Sequence, residues 1–147
     1  MRTPALLALA LAAVLAFACG SDEPSGPPND QITGTWRATS WRYTATSGGA
    51  TADLIATGST ATLVLDANGT GSLTRTPPGA APIGMTFDWE RDGQFISFIY
   101  MPGNDDNFAV TLGGGTLTLT LNGGTKGYDV DNDGVQEPCT WILQFSR

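Results

Sequence analysis

The chain contains no histidine and only two cysteines. Without histidine there is no Ser-His-Asp or Cys-His catalytic machinery and no histidine-bearing zinc site. Positive charge is also scarce. Seven Lys and Arg residues stand against 14 Asp and Glu, a formal net charge of −7. A surface this acidic repels phosphate backbones, so nucleic acid is not an expected partner. Beyond the N-terminus no stretch keeps an apolar period of 3.6, so long amphipathic helices are not expected. What remains for proton transfer is carboxylates, tyrosines and one lysine.

Glycine is plentiful, at 19 residues, with nine prolines. Threonine alternates with apolar side chains along much of the chain. This composition suits short β-strands joined by tight turns, and 147 residues suffice for one domain.

Three segments are expected. Residues 1–18 read as a signal peptide, with Arg2 as the positive head and an apolar run over 5–18 too short to span a bilayer. Residues 19–31 read as an anchor and a disordered tether. Leu15-Ala16-Phe17-Ala18-Cys19 resembles a bacterial lipobox, which makes Cys19 the acylated, palmitate-bearing first residue of the mature protein. Ala16 and Phe17 depart from the preferred lipobox residues, and ordinary signal cleavage to a free secreted protein is the alternative. Two or more acyl chains hold a protein on a membrane, each buried methylene contributing ~0.8 kcal/mol. Residues 20–30 have no apolar side chain beyond proline, and drawn out they reach roughly 36 Å. Gly20, beside the anchor, favours the outer membrane by resemblance to bacterial sorting rules.

Residues 32–147 carry the strand pattern. Trp36 and Trp41 cannot share one face of a regular strand, so a bulge is expected near Thr39–Trp41. Asn68-Gly69 marks a hairpin. Met85, Phe87 and Trp89 alternate with Thr86, Asp88 and Glu90; Leu117, Leu119 and Leu121 alternate with threonines; Cys139, Trp141, Leu143 and Phe145 share a face of the last strand. Residues 94–101 are apolar on both faces, which predicts a covered outer side or an interface. Eight to nine strands joined by short turns predict an all-β fold, an antiparallel up-and-down barrel of about eight strands, with a β-sandwich as the alternative.

Gly34-Thr35-Trp36 at the head of the first strand resembles the G-x-W signature of lipocalins and of the smaller bacterial lipocalin-like lipoproteins. Asp66-Ala67-Asn68-Gly69-Thr70-Gly71 resembles the D-x-x-G-x-G hairpin of the same lipoproteins. The resemblance implies a barrel whose Trp packs across the closed end, and a function in binding or carrying a small hydrophobic molecule at the cell envelope.

Three sites are weighed. An apolar pocket lined by Trp36, Met85, Trp89, Phe98, Tyr128 and Trp141 is set against a solid aromatic core. Asp129, Asp131 and Asp133, with Gly134, Val135 and Glu137, match the first half of a calcium loop. Thr140 stands where such a loop ends in Glu, and no helices flank it. Only weak affinity is expected, roughly 10⁻⁴–10⁻³ M, and the plainer alternative is an acidic turn. Asp88 and Glu90 share a face but point to solvent, Asp105-Asp106 sits in a turn, and Cys139 lacks an activating base. No catalytic residue and no required cofactor are therefore expected. The rival to ligand carriage is a solid barrel that binds an envelope protein through residues 94–101 and the Trp41/Tyr43 face.

Overall fold

Residues that alternate apolar with threonine can bury one face and wet the other, and here every long strand does so. The computed structural model describes residues 29–101 and 103–147; Cys19 and the leader lie outside the described residues. One helical turn, α1 (Asn29–Ile32), precedes ten strands: β1 (Gly34–Ala45), β2 (Thr51–Asp53), β3 (Thr60–Leu65), β4 (Thr70–Thr76), β5 (Ile83–Asp92), β6 (Phe95–Met101), β7 (Asn104–Gly113), β8 (Thr116–Leu121), β9 (Lys126–Tyr128) and β10 (Glu137–Ser146). Residues 29–31, read from the sequence as the end of the tether, lie in α1.

All pairings are antiparallel. The ladder runs β1-β3-β4-β5-β6-β7-β8-β10 and returns to β1, closing an eight-stranded up-and-down barrel. A sandwich of two stacked sheets is excluded by this single closed ladder. The short strands β2 and β9 extend the wall at one end. β2 pairs with Arg42–Thr44 of β1, and β9 pairs with Glu137–Cys139 of β10.

The pairing of β1 with β10 shifts register between Ala38 and Ser40, which is the expected bulge. The extra residue, Thr39, reverses the side-chain alternation. Trp36 therefore points inward before it, and Trp41 and Ala45 point inward after it, with Tyr43 half-buried against the core. Trp41 and Tyr43 consequently do not form an outer face, which removes one of the two supports for a protein partner.

One end of the barrel is closed. Ile32 of α1 is fully buried there, and its carbonyl accepts the Trp36 indole N–H at 2.7 Å. The Arg147 guanidinium lies 4.3 Å from the Trp36 ring centroid and donates to the Gln31 and Thr33 carbonyls at 2.8 and 2.6 Å. Such a cation–ring contact contributes ~0.5–2 kcal/mol, and hydrogen bonds from a charged donor ~1.5–3 kcal/mol each. Trp89 ties in the Asn68-Gly69 hairpin, its indole N–H donating to the Asp66 and Thr70 carbonyls at 3.1 and 3.0 Å.

Above that end the wall is tight at Gly71. A Cβ there would lie 2.6 Å from Phe87 Cε2 and 2.9 Å from the Val64 carbonyl oxygen. Phe87 is itself stacked on Phe98 at 4.3 Å and has little room to retreat. Gly71→Ala is therefore expected to destabilise by ~1–3 kcal/mol. Denaturant melts would check this; a variant as stable as the parent would show that the wall gives way freely.

Candidate functional site

The middle of the barrel is a continuous run of rings. Phe87 stacks on Phe98 at 4.3 Å, Phe98 meets Phe108 at 5.1 Å, and Phe108 meets Trp141 edge-on at 5.4 Å. From Trp141 the run divides, to Trp41 at 5.5 Å and to Tyr43 at 5.8 Å, and Tyr43 stacks on Tyr128 at 4.2 Å. Offset and edge-on ring pairs of this kind contribute ~0.5–1.5 kcal/mol each beyond the area they bury. Leu63, Leu73, Leu117, Leu119 and Leu143 fill in around them.

Toward the mouth, the end opposite α1, the inward rows of the strands turn polar. Arg75 follows Leu73 on β4, Tyr100 follows Phe98 on β6, Asp106 precedes Phe108 on β7, and Lys126 of β9 pairs opposite Cys139. Asp106 is only 7% exposed. It accepts the Tyr100 hydroxyl at 3.0 Å and an ion pair from Lys126 at 2.5 Å. Burial, and then the Asp106 charge and hydrogen bond, push the Tyr100 hydroxyl well above the ordinary tyrosine range. Lys126 also lies 5.7 Å from the Trp141 ring centroid, and Arg75 lies 5.9 Å from that of Trp41. Tyr43 is raised chiefly by burial, with Trp41 and Arg75 working against the rise.

The indole N–H groups of Trp41 and Trp141 are buried and have no hydrogen-bond partner. The Trp41 N–H lies near enough to the Tyr43 hydroxyl to influence it, but outside hydrogen-bonding geometry. A buried donor without an acceptor costs ~1–3 kcal/mol. Native interiors hold few such groups, so two on neighbouring side chains mark this end as a place for chemistry.

Asp53 fixes Trp41 in place. Its carboxylate accepts the Ser40 hydroxyl at 2.6 Å, the Trp41 amide at 3.1 Å and the Ile55 amide at 3.0 Å. Burial works to raise the Asp53 pKa, but the hydrogen bonds from Ser40 and from the amides of Trp41, Ile55 and Ala56 outweigh it and hold the carboxyl below its ordinary value.

The six residues expected to line one pocket are not brought together. Trp36 and Trp89 sit at the closed end with their N–H groups bonded. Phe98 lies in the filled middle, and only Trp141 and Tyr128 reach the mouth. Met85 is a correction. It keeps the inward alternation of Phe87 and Trp89 but is 39% exposed, because β5 pairs with β6 only from Asp88 onward and Met85 stands beyond that ladder. Asp106 is another: β7 begins at Asn104, so Asp106 belongs to a strand and faces inward rather than sitting in a wet turn. Arg75 and Lys126 were not anticipated as site residues, and Trp41, Tyr43 and Tyr100 only as parts of an outer surface for a protein partner. The signal for Arg75 was its place in the same alternation as Leu73, where an inward charge is conspicuous.

The acidic loop between β9 and β10 does converge. Asp129, Asp131, Asp133 and Glu137 each offer an oxygen within 4.8 Å of the others. These oxygens already receive backbone amides: Asp133 N–H donates to Asp129 and Asp131 at 3.1 and 3.3 Å, Gly134 N–H to Asp129 at 3.0 Å, Val135 N–H to Asp133 at 2.8 Å, and Val130 N–H to Glu137 at 3.0 Å. Asp88 and Glu90 are exposed on the outer wall, as expected. Cys139 is a buried free thiol pushed up by burial and by Glu137, the opposite of activation. At the closed end a cleft of about 460 Å³ is lined by Asn29, Gly69, Trp89 and Arg91, among others, and Arg91 buries two unpartnered guanidinium nitrogens. No family model matches the chain, and no curated protein matches it.

A carboxyl whose pKa is lowered by folding stabilises above its unfolded value, near 3.8, and that contribution disappears as pH falls through the lower folded value. The melting temperature of Asp53→Asn is therefore expected below that of the parent at pH 7, with the gap narrowing below pH about 4. Melts from pH 2 to 7 would read this, and a gap that stays constant with pH would show that the Asp53 hydrogen bonds do not depend on its charge.

Proposed function

We propose that this chain is a non-catalytic lipoprotein of the bacterial envelope, held on the outer membrane through acylated Cys19, whose lipocalin-like barrel binds a small hydrophobic ligand at its mouth. The observation that carries the reading is the mouth itself. The stacked rings of Tyr128, Tyr43 and Trp141 lie beside buried indole donors that the protein does not satisfy. Pre-formed sites for small molecules combine an apolar lining with a few placed polar groups in this way. The filled middle argues that the ligand rests on the aromatic floor of the mouth rather than deep in the barrel. The absence of histidine, and the engagement of Asp106 by Lys126 and Tyr100, support a binding role over a catalytic one.

A second reading, a surface for an envelope protein, keeps one support. On the outer side of β6, Phe95 is 40% exposed and Ile99 half-buried; the register shift before Met101 takes that residue out of the row. The acidic loop adds a weak calcium site on Asp129, Asp131, Asp133, Val135 and Glu137 to the proposal.

The neutral dye N-phenyl-1-naphthylamine tests the first reading. Displaceable binding is expected with a Kd on the order of 1–100 μM, corresponding to about −8 to −5 kcal/mol. Tyr43→Leu should weaken it while the melting transition remains cooperative. Binding that is undetectable at 100 μM, or indifferent to Tyr43, would overturn the mouth as the site. For calcium, 5 mM CaCl2 is expected to raise the melting temperature of the parent but not of Asp131→Asn/Asp133→Asn. Equal melting with and without calcium would remove the metal from the proposal.

A further inference from the structure

The distribution of charge inside the barrel differs from that outside it. The chain carries twice as many acids as bases, with 14 Asp and Glu against seven Lys and Arg. Yet Asp88, Glu90, Asp92, Asp105, Asp131 and Asp133 are all exposed on the outside. At the mouth, among the described residues, the inward charges are Arg75, Lys126 and Asp106. Asp106 is already committed to Lys126 and to the Tyr100 hydroxyl. The two nearby carboxylates are committed as well: Asp53 accepts Ser40 and backbone amides, and Glu137 accepts the Val130 amide. Arg75 forms no ion pair among the described residues; its recorded neighbours are the Trp41 ring and the Tyr43 hydroxyl.

The mouth is thus left with an excess of donors. Arg75 offers a guanidinium, and Trp41 and Trp141 offer two buried N–H groups, with rings 5.5 Å apart, that no protein atom accepts. An indole N–H can donate but never accept, and a guanidinium likewise. No rearrangement among these three can therefore satisfy them. The Tyr43 hydroxyl lies beside Trp41 and Arg75 but not in hydrogen-bonding geometry with the indole; a group that is rich in acceptors and, beside an unpaired cation, negatively charged meets all three donors at once. Beside these donors the mouth is apolar: Tyr43 stacks on Tyr128 at 4.2 Å and on Trp141 at 5.8 Å, so the rings pack on one another and present an aromatic wall.

We propose that the mouth selects an apolar molecule bearing one carboxylate, its body packed against the aromatic wall of the mouth and its carboxylate received by Arg75 and the indole N–H groups of Trp41 and Trp141. This rests on the ligand-binding reading and sharpens it from any small hydrophobic molecule to an organic acid. Lys126 neutralises Asp106, so that the buried carboxylate does not repel the incoming one. The acidic exterior gives no long-range attraction for such a molecule, so selectivity arises from local contact and survives added salt better than a surface ion pair would.

The test compares 2-naphthoate with its methyl ester, which has the same ring system and no charge, on the mature chain at pH 7. The acid is expected to bind about ten-fold more tightly by calorimetry, the difference a charge-assisted hydrogen-bonded pair supplies over a neutral one. Arg75→Gln should abolish that preference, weakening the acid far more than the ester. Indole N–H resonances give a second readout. The N–H groups of Trp36 and Trp89 already donate to backbone carbonyls, so only those of Trp41 and Trp141 should move on addition of 2-naphthoate. Unmoved Trp36 and Trp89 resonances in Arg75→Gln also report that the fold is intact. Equal affinity for acid and ester, or a preference that persists in Arg75→Gln, overturns the inference while leaving the binding reading in place. If neither probe nor the neutral dye binds, the inference falls together with that reading.

Discussion

The bulge at Thr39 is the constraint on which the barrel depends. β1 must pair with β3 over Gly34–Arg37 and with β10 over Arg37–Ala45, and a strand serving two neighbours around a tight curve cannot stay regular. One extra residue bends it and reverses its faces. That reversal places Trp36 under α1 at one end and Trp41 in the mouth at the other. A regular β1 would turn Trp41 and Tyr43 to solvent, break the run of rings through Trp141, and leave the mouth without its floor. Asp53 sits against the bend and bonds Ser40 and Trp41. Closure of the barrel and assembly of the mouth are therefore one event.

The two ends show what the same residue types do in different company. Trp36 and Trp89 are buried with carbonyls within 3.1 Å of their indole nitrogens, and Arg147 covers Trp36 while donating to two more carbonyls. Trp41 and Trp141 are buried to the same degree, also lie beneath cations, and find no acceptor. Burial and cation–ring contact are common to both ends and so explain neither. What differs is the supply of backbone carbonyls. At the closed end the Ile32 carbonyl of α1 and the Asp66 and Thr70 carbonyls around the Asn68-Gly69 hairpin meet the indoles; at the mouth no acceptor stands in hydrogen-bonding geometry with Trp41 or Trp141.

Much of the wall was legible in the sequence because alternation is local. Leu117, Leu119 and Leu121 announce a half-buried strand, Asn68-Gly69 announces a hairpin, and the clash of faces between Trp36 and Trp41 announces the bulge. The site was less legible, because it depends on which end of each strand a residue occupies. Met85 alternates correctly with Phe87 and Trp89 yet stands beyond the β5–β6 ladder. Trp89 has the same inward direction as Trp141 but lies at the opposite end. Asp106 follows Pro102-Gly103-Asn104, which reads as a turn, and only its pairing opposite Phe98 reveals an inward carboxylate. Arg75 shares the inward row of Leu73, but one charge at the end of an apolar row looks, in sequence, the same as the fraying end of a strand.

A mouth with unmet donors has a thermodynamic consequence. Each unpartnered indole N–H removes ~1–3 kcal/mol from a fold whose total stability is typically 5–15 kcal/mol. The barrel can carry that deficit because its filled middle, and the bonds that Trp36, Trp89 and Arg147 make at the closed end, do not depend on the mouth. An acceptor that enters from outside relieves the deficit only in the folded state, so it binds and stabilises through the same contacts. Replacing the tryptophans by phenylalanine would relieve it too, without any ligand, at the loss of both donors. That the chain instead holds two indoles beneath two cations, with the nearby carboxylate already paired, is an arrangement that stability alone does not favour.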